Sequence, residues 1–225
     1  ASDAAADDEF GAAVAVSGDI ALVGAPYKND AGCDSGAAYI FGRNEGGAEN
    51  WGEVTKIAVA DGAASVQFGK AVAVSGDTAL VGARLDDDTA TNSGSAYIFG
   101  RNEGGTDNWG EVAKITASDA ATYDYFGYAV ALSADTALVG AFSSGDDNSG
   151  SAYIFGVGGD DDDDDEKEEE ARRVGVVLAL VGSGVGAVVV LAGVGAVAFI
   201  LARRSSDDED DAKDGIMRKG ASVVH

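Results

Sequence analysis

The chain has 225 residues, a formal net charge of −24 and one cysteine, Cys33. So acidic a balance excludes ordinary nucleic-acid binding, which needs clustered Lys and Arg, and a lone cysteine excludes an intrachain disulfide. The only histidine, His225, is the last residue, so no Ser-His-Asp or Cys-His arrangement can form within the body of the chain. No zinc spacing or phosphate-binding glycine loop occurs either, and the protein is expected not to be an enzyme.

From the N-terminus, one unit recurs every 58 residues, headed by Phe10-Gly11, Phe68-Gly69 and Phe126-Gly127. A fixed period of this length marks a stacked or radial repeat. In the middle copy, Phe68 to Val74 alternates large and small residues and predicts a first strand. Ser75-Gly76-Asp77 is turn chemistry, and Thr78 to Ala83 predicts a second strand returning from it. An acidic loop over 84–94 leads to a third strand, Ser95 to Phe99, with Tyr97 and Phe99 on one face and Ile98 on the other. A Gly-rich loop then leads to a fourth strand, Trp109 to Ala117. Four short antiparallel strands per unit is the pattern of a propeller blade; a β-sandwich would not require the constant period. The third copy stops at Phe155 with no fourth strand after it. The expected fold is all-β, a partial, three-blade β-propeller of four-stranded antiparallel sheets over residues 1–159. Three blades do not close a ring, which implies a segment of a longer propeller, an open fan, or closure with other copies.

Phe-Gly followed by Gly24-Ala25-Pro26, with Gly82-Ala83 and Gly140-Ala141 in register, resembles the FG-GAP repeats found in integrin α subunits and other exported proteins. The resemblance covers residues 1–155. It implies a seven-bladed propeller at a cell surface that meets extracellular ligands through loops on one face. The calcium loop of integrin-type repeats is replaced here by bare hairpins at Ser17-Gly18-Asp19, Ser75-Gly76-Asp77 and Ser133-Ala134-Asp135, too few oxygens for that ion.

Two rims carry candidate sites. The loops between second and third strands hold Asp30 and Asp34, then Asp86, Asp87 and Asp88, then Asp146 and Asp147. They suit a weakly bound divalent cation such as calcium, a basic ligand, or plain solvated turns; no cofactor is otherwise implied. The opposite rim holds Arg43 with Trp51 and Arg101 with Trp109. Trp beside Arg can anchor an extracellular protein or glycan, or the indoles can seal adjacent blades.

Residues 160–173 form an acidic run that repels itself and stays extended, a juxtamembrane stalk. Residues 174–202 carry no charge and lie between Arg172-Arg173 and Arg203-Arg204, which predicts one transmembrane α-helix. Gly182-x-x-x-Gly186, extended by Gly193, is spaced for close helix–helix contact and a homodimer. The modest excess of Lys and Arg over 203–225 places that short tail in the cytoplasm and the repeats outside or in a lumen. The leading expectation is a single-pass surface protein whose blades mediate extracellular binding or adhesion. The alternative is a membrane-anchored scaffold that self-assembles through blade edges and the glycine face.

Overall fold

A computed structural model describes residues 1–59, 64–145 and 149–157, and beyond them only 176–177, 188–193 and 196–201. The first blade comprises β1 (Ala13–Ser17), β2 (Ile20–Ala25), β3 (Ala37–Arg43) and β4 (Trp51–Ile57), a four-stranded antiparallel meander. The second repeats it with β5 (Phe68–Ser75), β6 (Thr78–Ala83), β7 (Ser95–Gly100) and β8 (Gly110–Ile115). The third has three strands, β9 (Phe126–Ser133), β10 (Thr136–Ala141) and β11 (Ser151–Gly156).

The copies share backbone shape as well as sequence. In the segment leading to each Phe-Gly, φ is 67°, 66° and 68° at Asp7, Ser65 and Tyr123, and 51°, 54° and 56° at Glu9, Gln67 and Tyr125. The hairpins are two-residue turns whose first residue takes positive φ, at Gly18, Gly76 and Ala134. Alternation along the fourth strand is broken by a bulge. Ile98 faces Ala113 while Phe99 faces Glu111, so Val112 is an extra residue in a bulge and packs with Ala113 into the same cluster.

Blades pack face to face. Ile20, Leu22 and Ile40 of the first meet Phe68, Val72, Val74, Tyr97 and Phe99 of the second in one buried cluster. Leu80 and Ile98 of the second meet Phe126, Val139, Tyr153 and Phe155 of the third in another. Tyr97 and Ile98 thus serve opposite interfaces, as strand alternation requires.

The Phe-Gly of the second and third copies docks on the Gly-Ala of the copy before it. The Phe68 N–H donates to the Ser35 carbonyl at 3.0 Å and the Phe126 N–H to the Ser93 carbonyl at 2.8 Å. A Cβ at Gly24 would lie 2.0 Å from the Gly69 carbonyl oxygen, and one at Gly82 the same distance from that of Gly127. Only glycine admits so close a backbone approach.

In the Val-rich segment, the described pieces are strands: β12 (Val176–Val177), β13 (Val188–Gly193) and β14 (Ala196–Leu201), paired antiparallel in that order. These pieces differ from the helix expected over 174–202. Among the described residues, no helix is long and apolar enough to cross a membrane. Gly193 ends β13; Gly182, Gly186 and the rest of that segment lie outside the described residues, as do the 160–173 stalk and the 203–225 tail.

Candidate functional site on the loop rim

At one rim of each blade, the loop entering the first strand meets the loop joining the second and third. In each copy a tyrosine from the third strand donates into one of these loops. The hydroxyls of Tyr39, Tyr97 and Tyr153 donate to Asp3, Asp86 and Asp119 at 2.7, 2.8 and 2.8 Å. Burial, reinforced by Asp119, pushes the Tyr153 phenol up to about 12.

The charges around this tie differ between copies. In the first, buried Lys28 pairs with buried Asp8 at 3.0 Å, and Lys56 pairs with Asp3 and Asp30. Hydrogen bonds from Lys56 and Tyr39 hold the Asp3 carboxyl well below the usual carboxylate range. In the second copy, the position of Lys28 is taken by Asp86, which is buried and pairs with Lys114 at 2.9 Å. Lys114 also pairs with Asp88.

In the third copy the corresponding residues are Ser144 and Asp124, both buried. Burial pushes the Asp124 carboxyl up; the Ala121 N–H opposes this and Asp119 adds to it. A carboxyl whose folded value is raised contributes stability below its unfolded value, near pH 4, and loses it as pH rises through the folded one. Asp124→Asn is therefore expected to raise the Tm at pH 7–8, with the gain fading toward pH 4. A gain independent of pH would show that ionisation is not the cause.

The acidic rim is thus largely a set of structural pairs. Asp30, Asp86 and Asp88 are engaged by lysines, and Asp87 accepts from the Asn92 N–H, closing its own loop. Asp34 sits at a positive φ of 55° in the matching loop of the first copy. Asp146 and Asp147 lie outside the described residues. Among the described residues, no three His, Cys, Asp or Glu side chains converge as a metal site would require.

The same rim carries a group that the strand pattern does not flag. Tyr123, Tyr125, Tyr128 and Phe142 form a chain of tilted rings with centroids 6.1, 5.7 and 4.9 Å apart. The Arg84 guanidinium lies over Tyr128 at 5.7 Å. Tyr123, Tyr128 and Phe142 are exposed. Corresponding positions in the first two copies hold Asp7 and Ser65, Glu9 and Gln67, Ala12 and Lys70, and Pro26 and Arg84. A column-by-column comparison of the copies finds these aromatics, whereas a search for carboxylates passes over them.

The opposite rim holds a polar cleft of about 310 Å³ at the junction of the first two blades, lined by Arg43, Arg101, Glu45, Glu53 and Trp109 among others. Both arginines are already paired, Arg43 with Asp19 at 2.9 Å and Arg101 with Asp77 and Asp107. The two indoles part company. Trp51 is 41% exposed under the Arg43 guanidinium, while Trp109 is 1% exposed within the interface between the first two blades. Trp109 consequently seals blades together and offers no ring face to a partner.

Face-packed antiparallel blades with loops gathered at their rims define a propeller-like repeat fold. A sequence model of the FG-GAP repeat matches residues 1–41, 51–99 and 109–155, more than half of the chain, and the protein belongs to that family. No curated protein matches the chain.

Proposed function

We propose that this protein is a surface-displayed binding module, in which the FG-GAP blades meet an extracellular protein or glycan while residues 174–202 hold the chain to a membrane as a single span. The observation that carries the reading is the exposed ring cluster of Tyr123, Tyr125, Tyr128 and Phe142. Aromatic rings bring large, stiff contact area and are the residues on which interface energy concentrates. Tyr123, Tyr128 and Phe142 lie in water, and the first two copies hold no aromatic residue at these positions. Arg84 adds a charge and donors beside the ring faces. The uncharged run over 174–202, bounded by arginine pairs, supports the anchor.

Full-length chain incorporated in lipid vesicles provides the test. Vesicles carrying it should be retained on arrays of glycans and matrix proteins, and Tyr128→Ala with Phe142→Ala should weaken retention at least tenfold. Retention on nothing, or retention indifferent to both substitutions, would remove the binding reading. Failure of the chain to float with vesicles would remove the anchor.

A further inference from the structure

In a chain with 39 acidic residues, a cation finds a carboxylate easily. Lys28, Lys56, Lys114, Arg43 and Arg101 each pair with at least one. The remaining cations among the described residues, Lys70 and Arg84, pair with none, although both are half-buried. Both belong to the second copy, which has a described blade on either side.

Lys70 follows Phe68-Gly69, Arg84 follows Gly82-Ala83, and the two flank buried Gln67 on the loop rim. The Lys70 N–H donates to the Gln67 carbonyl at 3.2 Å, and Arg84 Nε donates to Gln67 Oε1 at 3.0 Å. The Lys70 ammonium lies 5.8 Å from the centre of the Tyr27 ring of the first blade. The Arg84 guanidinium lies over Tyr128 of the third, where the ring cluster begins. Cations and rings thus form one row that crosses both blade junctions. Blade packing does not require the cations, because the same positions hold Ala12 and Pro26 in the first copy and Tyr128 and Phe142 in the third. A ring face attracts a cation but replaces only part of the hydration that half-burial removes.

Resting on the binding role proposed above, we infer that this row takes an acidic glycan, with Lys70 and Arg84 receiving its carboxylates or sulfates and the rings lying against its sugar faces. Local charge decides for an anion. The net charge of −24 on the whole chain opposes it weakly, since salt screens charges beyond about 8 Å at physiological ionic strength. The guanidinium, held through Nε by Gln67, keeps its terminal N–H donors for a carboxylate or sulfate. A row spanning three blades suits a chain of sugars better than a single anion. Tyrosine and sugar also match, each being apolar on its ring faces and hydroxylated at its rim. Nucleic acid offers anions and rings too, but its affinity is built from many phosphate contacts, and two cations supply few.

Full-length chain, in neutral lipid vesicles or free in solution, is tested on immobilised polygalacturonate beside its methyl ester, and on dextran sulfate beside dextran. Each pair shares a sugar backbone and differs in charge. At least one charged polymer should retain the chain and its neutral form should not, with retention weakening as salt is added. Lys70→Gln and Arg84→Gln should each weaken retention about tenfold, as loss of one charge-assisted hydrogen bond does, whereas Lys70→Arg should keep it. Circular dichroism matching wild type qualifies each variant, and Lys70→Ala, which follows the first copy, replaces Lys70→Gln if that one misfolds. Retention on neither charged polymer, equal retention on the neutral form, or retention indifferent to Lys70→Gln and Arg84→Gln would each overturn the inference. Capture of a matrix protein or neutral glycan through Tyr128 and Phe142 in their place would leave the binding role standing and remove this ligand class alone.

Discussion

Gly82→Ala is expected to unseat the third blade at a cost of about 3 kcal/mol or more, the upper end for forcing atoms into a packed site. The added methyl would lie 2.0 Å from the Gly127 carbonyl oxygen and 3.0 Å from its carbon. Backbone cannot swing aside as a side-chain tip can, so the strand bearing Phe126 must retreat and carry its cluster with it. Gly24→Ala should do the same between the first and second blades. The control is within the chain. At Gly140 the nearest atom to an added methyl is the Ala129 carbonyl oxygen, 3.7 Å away, an ordinary contact. Gly82 and Gly140 occupy the same place in β6 and β10 and neither has positive φ, so alanine suits both backbones. Gly140→Ala should fall within about 0.5 kcal/mol of wild type. Urea unfolding of the two variants measures the difference; equal effects would mean that close approach of the next blade is not why glycine stands there.

This contrast shows what could be read from the sequence and what could not. The period, four strands in each of two copies, three in the last, and the two-residue turns follow from local chemistry, and they fall within a residue or two of expectation. Which copy a glycine serves is a tertiary fact. Phe-Gly and Gly-Ala are written in one repeat, yet they meet across two. Trp51 and Trp109 share the same sequence surroundings and differ in burial: among the described residues, the first blade covers Trp109 and no blade covers Trp51. Spacing along the fourth strand suggests Glu53 with Lys56 and Glu111 with Lys114 as surface pairs. Loops arriving from elsewhere bring Asp3 and Asp30 to Lys56, and Asp86 and Asp88 to Lys114. The helix expected over 174–202 lies mostly outside the described residues, and the pieces described there are strands. The aromatic cluster was present in the sequence throughout, as a departure of the third copy from the first two.

Lys28→Ala should cost about 3–5 kcal/mol at neutral pH, the range for removing one partner of a buried ion pair, and lower the Tm by on the order of 10 °C. Lys28 and Asp8 are both buried, and the Lys28 ammonium also donates to the Asp3 carbonyl. Burial pushes the Asp8 carboxyl up, but the Ala5 N–H and Lys28 outweigh it and hold it below its ordinary value. A depressed carboxyl contributes stability above its unfolded value, near pH 4, and loses it as pH falls through the folded one. Without Lys28 the sign reverses. Burial then dominates, Asp8 ionises at a cost, and protonation relieves it. The gap between wild type and Lys28→Ala should therefore be widest near pH 7 and narrow below about pH 5. The middle copy indicates the rescue, since Val66 stands in the place of Asp8 and is buried there. Asp8→Val combined with Lys28→Met removes both charges and should recover most of the loss, because a buried pair is worth little against well-packed apolar groups. If thermal melts of Lys28→Ala match wild type at pH 7, the pair is solvated and the rim of the first blade is looser than its burial implies.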